Sequence, residues 1–130
     1  MYELEPLSNQ DIEDWDRLIA PYDTREFFHQ KAWLQYLAES RSAQIRYWAI
    51  RANGKTIGYF TGGIIRKGPY KILGSPLRGW GTNRMGPIAA RDFDQRQFLI
   101  AIDQLAAQDR LAMVELESDL LTEAVMRQSG

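Results

Sequence analysis

The sequence predicts an α/β domain whose mixed sheet is antiparallel in its first half and parallel in its second. Three observations predict it. Strand-like and helix-like segments alternate along the chain, Asn53-Gly54 joins two long strands as a tight hairpin turn, and an amphipathic segment leads into the compact apolar strand Leu111–Leu116. The expected element order is β-α-α-β-β-β-α-β-α. With 130 residues, the chain fits a single domain, residues 1–130, with one core.

The first third of the chain predicts one strand and two helices. Residues Tyr2 to Leu7 alternate as a short edge strand. Ser8 then offers an N-cap, with Asp11 three residues later as in a capping box, and Pro21 helps to end the helix. A second helix is expected over Gln30–Ser40. The apolar residues at helical spacing are Ile12, Trp15, Ile19 and Tyr22 in the first helix, and Trp33, Leu34, Leu37 and Ala38 in the second.

The middle of the chain predicts a meander of three strands. Gln44–Ala52 and Lys55–Arg66 flank the Asn-Gly turn, and Tyr70–Gly74 follows as a third short strand. Gly62-Gly63 interrupts the second of these strands. A glycine pair inside a strand marks either a bulge or a close backbone approach, and both alternatives are open at this point.

The last third predicts a helix, a strand and a final helix. Asp92 and Gln95 resemble a helix start, and the apolar periodicity that follows ends near Asp109. A strand over Leu111–Leu116 should then pair in parallel with the preceding meander. Ser118 or Asp119 would cap a helix over Leu120–Gln128.

The chain stops at Gly130, where a helix C-cap would lead into another element, and a parallel strand needs neighbours on both sides. We therefore expect the 130 residues to be the N-terminal part of a longer protein. A last strand with an unpaired edge would favour homodimer formation.

Charge is distributed very unevenly. No acidic residue lies between Ser40 and Arg91, although this block holds ten of the sixteen basic residues and the formal net charge is −1. The ten are Arg41, Arg46, Arg51, Lys55, Arg66, Lys67, Lys71, Arg78, Arg84 and Arg91. Within the block, the loop Gly74–Pro87 combines glycines, two arginines and a tryptophan, which suits an anionic ligand. The alternative is a solvated basic surface with a glycine-rich turn.

Composition excludes several classes of site. The chain has no cysteine and one histidine, His29, so disulfides, thiolate nucleophiles, cysteine-bound metals and multi-histidine metal sites are excluded. No apolar run has the length of a membrane span, and the N-terminus lacks a signal pattern. We expect a cytoplasmic protein without an integral membrane segment.

Several short motifs, in their order, resemble a known enzyme family. Phe27-Phe28-His29-Gln30, Ala32-Trp33-Leu34 and Leu37-Ala38 resemble a helix start of the FemAB-like branch of the GNAT acyltransferases. The hairpin at Asn53-Gly54, the loop GSPLRGWGTNRMGP and the following helix and strand also resemble the first half of that domain. The resemblance covers nearly the whole chain.

The resemblance implies a GNAT-like fold and an N-acyltransferase. Such enzymes transfer an acyl or aminoacyl group to an amine of a cell-envelope precursor, including peptidoglycan precursors, and the implied donor is acyl-CoA or aminoacyl-tRNA. Two positions depart from the family. Glu117-Ser118-Asp119 follows Leu116 in place of a glycine-rich pyrophosphate loop, and Leu37 stands where some members have a lysine. We therefore expect this chain to supply mainly the acceptor-binding half, to bind no cofactor by itself and to be inactive without a C-terminal GNAT-like half.

The candidate substrate-binding residues are Arg78, Trp80, Asn83 and Arg84 in the loop, with Gly62 and Gly63 on the neighbouring strand. Trp80 alternatively belongs to the core. His29 and Glu115 are candidate acid–base groups. The alternatives are that His29 caps the helix or packs under an aromatic residue, and that Glu115 is an exposed or paired carboxylate at the end of a strand.

Two other functions are compatible with the sequence. A non-catalytic module for an anionic polymer, nucleic acid or polysaccharide, would use the basic block with its interleaved aromatics, Tyr47, Trp48, Tyr59, Phe60 and Tyr70. One continuous basic groove on the sheet would favour this module, and a pocket at the loop would favour a small substrate. The third possibility is a structural piece whose partner half carries every active group.

Overall fold

Seven strands form one mixed sheet in the part of the chain that the structure describes. The computed structural model describes residues 1–22, 29–75, 87–89, 93–118 and 121–127, with side chains as far as Glu115. The strands are β1 (Tyr2–Pro6), β2 (Gln44–Ala52), β3 (Lys55–Lys67), β4 (Tyr70–Ser75), β5 (Pro87–Ala89), β6 (Leu111–Ser118) and β7 (Leu121–Arg127). The helices are α1 (Asn9–Glu13), α2 (Trp15–Ile19), α3 (Lys31–Ser40) and α4 (Gln95–Gln108).

The sheet has the order β1-β2-β3-β4-β6-β7, with β5 pairing with β3 beyond the end of β4. Strands β1 to β4 pair antiparallel, and β6 pairs parallel to β4. The expected change from antiparallel to parallel pairing is therefore confirmed. The pairing changes because α4 carries the chain back to the first residues of β4 before β6 begins, so that β6 runs in the same direction as β4.

Helices cover both faces of the sheet. On one face, Phe98, Ile102 and Leu105 of α4 pack against Trp48 and Phe60. On the other, Trp15 and Ile19 of α2 and Leu34 and Leu37 of α3 form a second cluster with Ile88. Each strand that lies between these layers contributes alternate side chains to the two clusters, which is why β2 and β3 carry apolar residues in consecutive positions.

The hairpin and the second helix are confirmed. The β2 strand has the expected bounds, and Asn53 and Gly54 both have positive φ, 53° and 79°, as a two-residue I′ turn requires. Helix α3 begins one residue after Gln30, which serves as its N-cap. Helix α4 is capped by Asp94, whose side chain accepts hydrogen bonds from the backbone N–H groups of Arg96 and Gln97.

Two expected helices differ in the structure. The helix after Ser8 is divided at Asp14, which ends α1 and begins α2, in keeping with the preference of aspartate for helix ends over interiors.

The expected helix over Leu120–Gln128 is wrong, because Leu121–Arg127 is strand β7, antiparallel to β6. Pairing satisfies the backbone groups along the edge of β6, which outweighs the helix-favouring composition of this segment. The expectation of an unpaired β6 edge is wrong for the same reason.

Burial of Tyr47 makes the fold sensitive to alkaline pH. Its ring meets the edge of Trp15 at a centroid distance of 4.9 Å. Burial, followed by the nearby charge of Asp16, raises the pKa of Tyr47 from 10.0 to about 12. The neutral hydroxyl is therefore favoured in the folded state, and its contribution to stability is complete below pH 10 and is lost as the pH rises towards 12.

We expect the free energy of unfolding to fall between pH 10 and pH 12, and Tyr47→Phe to reduce that fall. Burial also raises the pKa of Tyr59, so part of the fall in the free energy of unfolding should remain in Tyr47→Phe. Urea unfolding at several pH values measures this fall, and Tyr36→Phe, at a half-exposed position, is the control. Identical slopes for the wild type and Tyr47→Phe would contradict this assignment.

Candidate functional site

The carboxyl ends of the parallel strands β4 and β6 lie side by side, with Ser75 in register with Leu116. In sheets with parallel strands, ligands bind in the crevice beyond these ends. The chain leaves β4 after Ser75 and returns at Pro87 as β5, beside β3. Both ends of the glycine-rich loop are therefore anchored at this edge of the sheet.

A carboxylate lies beside two glycines in this region. Gly63, Gly74 and Glu115 are register neighbours on β3, β4 and β6, and alternation places them on the face of the sheet that carries α1 to α3. The row from β3 to β6 spans about 10 Å, at about 4.8 Å per strand. Gly63 and Gly74 are both buried and Glu115 is half-buried, so only the Glu115 end of this row reaches the surface.

Glu115 lies two residues after Met113 on β6 and therefore shares a face of the sheet with it. Met113 packs against the cluster beneath α2 and α3, whereas Val114 between them packs beneath α4. Glu115 is half-buried, and it interacts with another part of the protein. A half-buried carboxylate near the end of a strand suits a general base, because it is held in place and remains within reach of a ligand.

Side-chain hydroxyl groups form hydrogen bonds where β3 passes from pairing with β4 to pairing with β5. β4 pairs with β3 as far as Gly63, and β5 takes over at Phe60, so Thr61 and Gly62 lie between the two paired segments. The Ser75 hydroxyl donates to the carbonyl oxygen of Thr61 at 2.5 Å, and the Thr61 hydroxyl donates to the carbonyl oxygen of Arg46 at 2.8 Å. The first bond is buried and the second partly buried, and together they fix the point at which β4 ends at Ser75.

The glycine pair forms no β-bulge, and at Gly62 the backbone of β4 lies close to β3. The β2–β3 register runs unbroken through both glycines and shifts at Ile50/Arg51 instead. A Cβ on Gly62 would lie 2.8 Å from the carbonyl oxygen of Gly74, so the space above Gly62 is taken by β4 itself. Gly62 and Gly63 also point to opposite faces, and only Gly63 shares a face with Glu115. We therefore assign Gly62 to strand packing and retain Gly63 in the site.

His29 is placed inside the core. It is 1% exposed, and its carbonyl oxygen accepts a hydrogen bond of 2.7 Å from the Trp15 indole Nε1. A substrate would have to enter the core to reach its imidazole. The structure therefore supports a buried, structural position for His29 beside Trp15, whereas the N-cap of α3 is Gln30, and it leaves Glu115 as the acid–base candidate.

The other predicted site residues, Arg78, Trp80, Asn83 and Arg84, lie outside the described residues. They belong to the loop that begins at Ser75 and ends at Pro87.

The basic side chains outside the loop do not form one continuous groove in the described structure. Arg51 lies at the hairpin end of β2, where it forms a 3.3 Å ion pair with Glu5 and donates to the Thr56 hydroxyl at 2.8 Å. Arg46, Arg66 and Lys71 lie at the opposite end of these strands, around one open cleft. The acid-free block of the sequence is therefore divided in space, which does not favour a groove for a polymer.

The aromatic residues of the block are mostly in the core. Trp48 and Phe60 are 3% and 0% exposed, so neither can stack on a base. Tyr47 and Tyr59 contact Trp15, and Tyr70 is well exposed. The interleaved aromatic residues therefore do not form a stacking platform for a single-stranded nucleic acid.

Comparison with models of known protein families and with curated protein sequences finds no match. Among the helices that the structure describes, none combines the length and the hydropathy needed to cross a membrane.

Proposed function

We propose that this chain is the acceptor-binding part of an N-acyltransferase with a GNAT-like fold of the FemAB-like branch, acting in the cytoplasm. One observation carries the proposal. Glu115 lies beside Gly63 and Gly74 near the carboxyl ends of a parallel strand pair, where the basic loop also begins. The antiparallel meander followed by a parallel pair supports the GNAT-like fold, and the sequence resemblance supports the choice of reaction.

The reaction needs one proton acceptor and accurate positioning. Transfer forms a C–N bond between the acyl carbon and the acceptor amine, and it breaks the C–S bond of an acyl-CoA or the ester C–O bond of an aminoacyl-tRNA. The amine loses a proton and the leaving thiolate or alkoxide gains one. In the proposal, the half-buried carboxylate of Glu115 takes the proton from the amine.

Arg78 and Arg84 supply the charge that holds the acceptor. An envelope precursor linked to a nucleotide carries phosphate groups, and guanidinium groups bind phosphate through paired, charge-assisted hydrogen bonds. Trp80 contributes a flat apolar surface for a sugar or a base. The acceptor would therefore have its anionic part at the loop and its amine at Glu115.

Acyl transfer by the full-length protein tests the proposal. The donor is acetyl-CoA or a mixed aminoacyl-tRNA pool, the acceptor is a nucleotide-linked peptidoglycan precursor, and mass spectrometry detects the product. We expect the precursor to gain the mass of one acyl or aminoacyl group. We also expect replacement of Arg78 and Arg84 with Ala to weaken acceptor binding by about 3–6 kcal/mol, the sum for two charged hydrogen bonds.

Arg96→Ala, at an exposed position in the first turn of α4, is the matched control and should leave acceptor binding unchanged. Melting temperatures of the same variants separate a loss of binding from a loss of fold. Failure of every donor to modify the precursor, or unchanged acceptor affinity in the double variant, would contradict the proposal.

A further inference from the structure

An open cleft lies where β2 and β4 begin, at the opposite end of β4 from Ser75. Its volume is about 460 Å³, and its lining residues are Ser42, Gln44, Arg46, Ile64, Arg66, Lys71 and Asp109. Helix α4 ends at Gln108, so the sheet surface beyond this point is not covered by that helix. Lys71 in the cleft and Ser75 at the end of β4 are about 13 Å apart, because the strand advances about 3.3 Å at each of the four steps between them.

Two cations in the cleft are forced together by strand pairing. Arg66 and Lys71 are direct partners in the antiparallel β3–β4 register, next to the turn that contains Gly68 at positive φ. Their Cβ atoms are therefore about 5 Å apart on the same face, and like charges in this arrangement destabilise a sheet. Neither residue forms an ion pair with another of the described residues. An anion bound between them would replace this repulsion with two attractive contacts.

The floor of the cleft offers neutral polar groups beside these cations. Gln44 pairs with Ile64 on β3. Ile64 precedes Arg66 by two residues, so both side chains lie on the same face of the sheet. Ser42 precedes β2 and also lines the cleft. An amide and a hydroxyl next to two cations suit the several oxygen atoms of a phosphate group.

Negative charge is confined to the other side of the cleft. Arg46 and Asp109 also line a neighbouring cleft together with Glu3, so the charge of Arg46 is partly offset by these two carboxylates. The C-terminal end of α4 adds partial negative charge near Asp109. An anion is therefore favoured near Arg66 and Lys71, away from Asp109.

We propose that Arg66 and Lys71 form a binding site for the phosphate or diphosphate group of a small molecule, separate from Glu115 and from the strand end at Ser75. A small ligand fits better than a nucleic acid strand, because none of the lining residues is aromatic and the cleft has the volume of a small-molecule pocket. This site does not depend on the proposed acyl transfer.

A titration with inorganic pyrophosphate at constant ionic strength tests the site, with backbone amide NMR signals locating the bound anion. We expect saturable shifts at Ile64, Arg66 and Lys71 and none at Glu115. Arg66→Gln and Lys71→Gln should each weaken binding about tenfold or more, the usual loss for one charged hydrogen bond. Arg46→Gln should have a smaller effect.

Lys55→Gln is the matched control, because Lys55 belongs to the same acid-free block and lies at the hairpin end of β3. Unchanged affinity in both Arg66→Gln and Lys71→Gln, or equal losses in Lys55→Gln, would overturn the site. Absence of saturable shifts at Ile64 and Lys71 would overturn it as well. A single-stranded RNA oligonucleotide provides the last comparison. If it binds more tightly than pyrophosphate and its binding depends on Arg66 and Lys71, the ligand is a polymer and the small-molecule assignment is overturned.

Discussion

Trp15→Ala is expected to lower the free energy of unfolding by about 3–5 kcal/mol, the usual cost of removing a buried tryptophan side chain. Trp15 is 0% exposed and lies between α2 and the sheet, where it contacts the rings of Tyr47 and Tyr59 at 4.9 and 5.8 Å. The substitution also removes the indole N–H that bonds the carbonyl oxygen of His29. That carbonyl would then be buried without this donor.

Urea unfolding measures the loss, and two further variants divide it into its causes. Trp15→Phe keeps most of the packing and removes the hydrogen bond, so it should cost about 1–3 kcal/mol. Trp33→Ala is the matched control, because Trp33 is half-buried and packs beside Tyr36 at 4.9 Å near the surface. A loss in Trp33→Ala as large as in Trp15→Ala would show that the second core cluster is not organised around Trp15.

The elements that the sequence predicts well are those whose signals are local. The β2–β3 hairpin depends on Asn53 and Gly54, which adopt positive φ at little cost. Helix α4 depends on its own apolar periodicity, although its N-cap is Asp94 and not Asp92, which the sequence suggested. In each case a few neighbouring residues determine the conformation.

The last strand could not be predicted in this way, because its conformation depends on a partner. Leu121–Arg127 contains good helix formers such as Leu, Glu, Ala and Met. The structure instead pairs it with β6, from Ser118↔Leu121 to Met113↔Arg127. Pairing along an available strand edge outweighs a propensity difference of a few tenths of a kcal/mol per residue.

The candidate site was predicted only in part, for the same reason. Alternation along Leu111–Leu116 places Glu115 correctly, but its proximity to Gly63 depends on the parallel register between β4 and β6. That register joins residues about forty positions apart and has no local signal. The pairing of Arg66 with Lys71 was visible in principle, because the turn residues Gly68-Pro69 lie midway between them.

Glu115→Gln is expected to lower the kcat of acyl transfer by about 10²–10⁴-fold, the usual contribution of a general base, with little change in the KM for the acceptor. The amide keeps the size of the side chain and its hydrogen-bonding ability but cannot accept the proton of the amine. Glu115→Asp, which retains a carboxylate on a shorter side chain, should recover part of the rate. A purely structural role for Glu115 would lower the melting temperature without this separation of kcat from KM.

The central claim is that the carboxylate beside Gly63 and Gly74 performs the chemistry, and the kcat of Glu115→Gln in the full-length protein tests it most directly. Glu39→Gln is the matched control, because Glu39 is exposed near the end of α3. The account predicts a loss of about 10²–10⁴-fold for Glu115→Gln at an unchanged melting temperature, with Glu39→Gln equal to the wild type. A kcat for Glu115→Gln within a factor of three of the Glu39→Gln value would contradict it.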